Sequence, residues 1–126
     1  MSKVLAIRWL DEPEEKDYLA AHSFLSMVLG PSLLTETIAG LRGAPLDHWP
    51  AKEILRAAEL PPLRPKRSAE VAEKLKKVKS GTPISPVLLV GGVRDYVVIG
   101  DGYHRVSAAY RVDEDALVPG RLFWSS

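Results

Sequence analysis

"VVIGDGYHRVSAAY", residues 97–110, decides how this chain folds. A β-branched run stops at Gly100, Asp101 to Arg105 follow, and then comes an alanine-rich segment. The apolar run predicts a buried strand over 96–100. Val106, Ala109 and Tyr110 share one face and predict a helix over 103–112. A strand that turns through glycine into a helix leaves free N–H groups at the helix start, where the dipole adds roughly half a positive charge. Together these make an anion site. Gly100 and Gly102 let the backbone bend and come close to a ligand. Tyr103 stands at the head of the helix. Arg105 adds a forked, permanently charged donor, and His104 can donate hydrogen bonds or move a proton. Asp101 is the odd member: it can cap the helix, hold Arg105 or His104, or bind Mg²⁺. The plain alternative is a Gly-Asp-Gly helix start with a solvated arginine. The stretch is neither a Walker A loop nor a G-x-G-x-x-G fingerprint, so dinucleotide binding is not expected.

Outward from this turn, "VLLV" (87–90) reads as a fully apolar strand after the loop "SGTPISP", and "RLFW" (121–124) as a last strand after the loop "DEDALVPG". Ser68 can cap a helix over 69–79 whose buried stripe is Val71, Leu75 and Val78. "PPLRP" (61–65) is extended, "PAKEILRAAEL" (50–60) is helical, and "APLDHW" (44–49) is an extended link. Toward the N-terminus, apolar spacing predicts a helix at 13–29. A second follows, with Pro31 in its first turn and Gly43 at its end. Residues 3–9 read as a short strand or an ordered arm. The first 43 residues thus form a helical hairpin, expected to cover the sheet. The expected fold is α/β (α+β), one domain over 1–126.

With 126 residues the chain is long enough for one real core. No apolar run approaches the ~20 residues that span a bilayer. The N-terminal stretch turns acidic before a signal-peptide core forms, so a cytoplasmic protein is expected. The absence of cysteine excludes disulfides, thiolate metal sites and cysteine redox chemistry. Net charge is +1, but residues 64–79 hold seven positive and two negative side chains. Such a segment can meet the phosphates of a nucleotide or of DNA. Equally, Glu70–Lys74 and Glu73–Lys77 lie at i,i+4, as on a solvated helix face.

The residues "PISPVLLV … YVVIGDGYHRVSAAYRV … VPGRLF" resemble the ParB/sulfiredoxin superfamily over roughly 60–124. Partition proteins of that superfamily carry a G-E-R-R-x-R-A-A box and sulfiredoxins a G-G-C-H-R-x-A-A box. ADP-dependent serine kinases of the same fold carry related Asp-Gly-His-His-Arg boxes. All place the box between a strand and a helix. "AKEILRA" (51–57) is similar to a segment of bacterial ParB-like proteins of unassigned activity. The resemblance implies a small mixed sheet with flanking helices and a nucleotide-phosphate site on Gly102, Tyr103, His104 and Arg105. It implies ADP or ATP, with or without Mg²⁺; haem, flavin and zinc are not expected. Tyr103 stands where sulfiredoxins have cysteine, so sulfinic acid reduction is excluded. The partition box's glutamate–arginine pair is also missing.

Catalysis, if present, is expected as phosphoryl transfer or nucleotide hydrolysis. Arg105 would then hold phosphate, His104 donate to it, and Asp101 orient a metal or act as base. Lys52, Lys77 and Ser107 are further candidates for phosphate contact. Each has a plainer reading: an exposed lysine, a partner of Glu73, a surface serine. Trp49 suits either base stacking or core. His22 and His48 are too isolated for a metal. The alternative functions are a DNA-associated module using 64–79, whose binding would fall steeply with salt, and a non-catalytic interaction protein; in every reading a monomer or homodimer is expected.

Overall fold

The computed structural model describes residues 6–125. Along the chain come α1 (Glu15–Leu25), α2 (Pro31–Gly43), β1 (Leu46–Pro50), α3 (Ala51–Ala58) and α4 (Ala69–Ser80). Then follow β2 (Val87–Gly91), β3 (Val98–Asp101), α5 (Tyr103–Val112) and β4 (Leu117–Trp124). The strands form a sheet in the order β1-β4-β2-β3. β4 runs parallel to β2, whereas β1 pairs with β4 and β3 with β2 in antiparallel fashion. This mixed sheet flanked by helices is the α/β (α+β) class that the sequence predicts.

β2 shows why the core has two sides. All five of its residues are buried. Val87 and Leu89 face a cluster with Ile54 and Leu55 of α3, Val106 and Ala109 of α5, and Val118 of β4. Leu88 and Val90 face Tyr18, Ala21 and Leu25 of α1 and Leu34 and Leu41 of α2. A strand covered on both faces reads as a continuous apolar run. The N-terminal hairpin is therefore a cover layer of the sheet, as its apolar stripe predicts. At Gly40 a Cβ would enter the Phe123 ring, so α2 lies directly against β4 there.

Several elements differ from the sequence reading. The "extended link" contributes β1, which pairs along β4 from Leu46↔Arg121 to Pro50↔Leu117. β4 starts at Leu117 rather than 121, because β1 supplies residues 117–119 with partners that a loop would lack. Pro119 and Gly120 disguise it, since proline ordinarily argues against an interior strand. α1 ends at Leu25, and residues 26–29 continue as turns in which Val28 and Leu29 donate to Leu25 O. α3 stops at Glu59, whose φ of 55° is left-handed. α4 begins as predicted, with Ser68 Oγ accepting from Val71 N at 3.2 Å. Of the N-terminal strand or arm, residues 3–5 lie outside the described residues, and Trp9 makes a single bridge to Ile84.

Candidate functional site

The turn from β3 to α5 is built around Gly102. Its φ is +114°, and a Cβ there would collide with the Val87 side chain. Only glycine turns the chain here without strain. Val106 N then donates to Gly102 O at 2.9 Å and starts the helix. No side chain caps α5, so its first turn keeps unpaired N–H groups. Asp101, the natural capping candidate, turns instead to Arg105.

Arg105 lies inside the protein, 8% exposed. Its Nη2 donates to Asp101 Oδ2 at 2.8 Å and to Pro86 O at 3.4 Å, and its Nη1 donates to Asp17 Oδ1 at 3.1 Å. Its Nε is buried without a partner. The terminal nitrogens that the sequence offers to phosphate are thus engaged by two carboxylates.

Asp17, on α1, is 3% exposed. Its other oxygen accepts the Glu14 N–H at 2.8 Å. Burial pushes the Asp17 carboxyl up, but Arg105, the Glu14 region and Ser85 outweigh it and hold the pKa below its ordinary value. Asp101 goes the other way. Burial raises it, Arg105 opposes the rise, and the neighbouring Asp17 adds to it. One guanidinium serves two carboxylates, so one stays ionised and the other leans toward neutrality.

Beside Arg105 lies a polar cavity of about 40 Å³ lined by Glu14, Lys16, Lys74, Lys77, Ser85 and Arg105, with Pro83 and Ile84. It has space for ~3 water-sized groups. Four cationic side chains from α1, α4 and α5 meet one carboxylate around it. Lys74 and Lys77 both reach Glu73 Oε1 at 3.3 Å, and Lys16 reaches Glu14 at 3.6 Å. These acids are half exposed, and such pairs exchange readily for a stronger anion.

The remaining predicted residues divide. Lys77 reaches the cavity. Gly100 ends the buried part of β3, where a Cβ would touch Leu25 and Ala21 of α1; its role is close packing. Tyr103 donates its hydroxyl to Pro61 O, and burial raises its pKa. His104 is half-buried, its ring centroid 6.3 Å from that of Tyr103. The Glu70 carboxyl is lowered by its own amide and by Ser68, and further by charge on His104.

Two candidates need correction. Ser107 is fully buried, and its Oγ accepts from Leu63 N at 3.1 Å. It anchors the proline-rich segment instead of facing a ligand. Lys52 pairs with Asp115 beyond the far end of α5. That helix of 10 residues puts roughly 15 Å between Lys52 and the turn. Asp101 is bonded to Arg105, and among the described residues no group of three His, Cys, Asp or Glu converges. No described helix is long and apolar enough to cross a membrane.

A larger cavity, about 320 Å³, opens between α3 and the sheet, lined by Trp49, Ile54, Ala57, Leu89, Val97 and Leu122. Its charged rim residues, Glu53 and Arg56, are paired with each other at 3.2 Å. It sits by Val97, four residues and roughly 13 Å along the strand from Asp101, so the box does not reach it. Trp49 belongs to this wall and not to the box.

Sequence reasoning missed Asp17, Lys74 and Ser85. Asp17 reads as one acid among several at a helix start, Lys74 as a solvated lysine, and Ser85 as loop. Only the packing of α1 and α4 beside the 83–86 segment brings them together. No family model matches the chain, and no curated protein and no solved structure is detectably similar to it.

Proposed function

We propose that this chain binds the phosphates of a nucleotide, ADP or ATP, in a ParB/sulfiredoxin-like frame. The observation that carries the reading is the cationic bowl: Lys16, Lys74, Lys77 and Arg105 surround one polar cavity with Glu14 as the one acidic lining residue. The uncapped first turn of α5 supports it with free N–H groups. So does the sequence resemblance of the box. In this reading Lys74 and Lys77 release Glu73 and take the phosphate oxygens. His104, on the first turn, is the added hydrogen-bond donor. A reacting nucleotide would undergo phosphoryl transfer or hydrolysis.

Thermal shifts with ADP, ATP, CTP and pyrophosphate, with and without Mg²⁺, test this. A ligand at 100 times its Kd stabilises by about 2.7 kcal/mol, which amounts to several degrees at this size. A shift that is lost in Lys77→Gln supports phosphate in the bowl. No shift with any of the four overturns the reading.

A further inference from the structure

We propose that the Asp17 carboxylate is a built-in occupant of the anion site, and that an incoming phosphate displaces it from Arg105. This rests on the phosphate-binding reading above. Asp17 is surrounded as a bound anion would be. Donors from two segments converge on it, the Glu14 amide at 2.8 Å and Arg105 Nη1 at 3.1 Å, and Ser85 helps hold its pKa down. Arg105 and Ser85 also line the cationic cavity. Arg105 is therefore shared between a carboxylate inside the protein and a cavity open to a ligand.

Its Nε has no partner in the present arrangement. A guanidinium turned toward a phosphate in the cavity would regain that missing bond. It would also meet an anion of higher charge than a carboxylate. Asp17 comes from α1, in the hairpin that covers the sheet, and the box comes from the β3–α5 turn. The contact thus ties phosphate binding to the seating of the hairpin. Asp101 bonds Arg105 from within the box, at i,i+4, and moves with it; Asp17 is the partner that a rotating Arg105 leaves behind.

The test is a calorimetric titration of pyrophosphate into the wild-type chain, Asp17→Asn and Glu15→Gln at one pH and salt. Asp17→Asn keeps the shape and removes the competing charge. If the carboxylate holds the site closed nine times in ten, apparent binding tightens about tenfold. Glu15→Gln, on the same helix as Asp17, breaks the exposed pair with Arg42 of α2 and leaves the Kd unchanged. A folded Asp17→Asn that binds no tighter than wild type overturns the proposal while the phosphate reading stands. If no variant binds, both fall. Should Asp17→Asn not fold, the Arg105 Nε–Hε resonance of the wild type decides. It shifts on saturation with pyrophosphate if Asp17 is displaced. A resonance that stays in place at saturation overturns the displacement.

Discussion

Arg105→Met removes the charge of the most buried cation among the described residues and keeps much of its stem. Asp17, 3% exposed, and Asp101, with a side chain 20% exposed, would then face each other without a counter-ion. Breaking a buried pair by removing one partner costs about 3–5 kcal/mol. Unfolding entropy is about 2.1 cal/mol/K per residue, so for 126 residues the Tm falls by about 11–19 °C. The pH dependence is the sharper signature. In the wild type, Asp17 is held low, so its stabilisation is present above the unfolded carboxyl pKa and lost as pH falls. Asp101 is raised, so its contribution is present below that value and lost as pH rises. The two slopes oppose each other. Without Arg105 both carboxyls are pushed up, and both favour the protonated form in the fold. The deficit against wild type is therefore greatest at neutral pH and shrinks on acidification. Urea unfolding of both proteins at neutral pH and at about pH 5 measures this. A loss under ~1 kcal/mol at neutral pH, the scale of an exposed ion pair, refutes the reasoning. So does a deficit that grows as pH falls.

Gly102→Ala puts a Cβ into Val87 at a φ of +114°. A loss of at least ~2 kcal/mol is expected in denaturant unfolding; a neutral result would mean that the turn relaxes freely. Ser107→Ala leaves the Leu63 N–H without its acceptor, at about 1–3 kcal/mol if it stays dry. Faster tryptic cleavage at Lys66 or Arg67 should accompany it, and unchanged cleavage would show that other contacts hold the segment.

The strand–glycine–helix punctuation of 97–110 was legible because its local signals agree: a β-branched run, a glycine needed at positive φ, and helical spacing afterwards. The continuous apolar run at 87–90 was legible because both faces of that strand are covered. β1 and the first half of β4 were not. Their residues acquire strand character only from each other, across more than 60 positions of sequence, and Pro119 argues against them locally. The site was half legible. Gly102, His104 and Arg105 stand at a helix start as the motif requires. The direction of Arg105 was not readable, because it is set by Asp17, 88 residues earlier in the chain. Lys74 and Lys77 sit at i,i+1 and i,i+4 from Glu73, as on any solvated helix. Only the 83–86 segment packed against them makes a bowl.

The central claim is that the cationic bowl takes phosphate. The most direct measurement is a calorimetric titration of pyrophosphate and ADP into the wild-type chain and into Lys74→Gln/Lys77→Gln, at low and at raised salt. The account predicts one site per chain, weakened by salt, and at least about tenfold weaker in the double variant, the equivalent of 1.4 kcal/mol. Both lysines are partly exposed, so the double variant should keep the wild-type Tm within a few degrees. No heat from either ligand in the wild type would contradict the claim. Binding that is equally tight in the double variant would move the phosphate elsewhere.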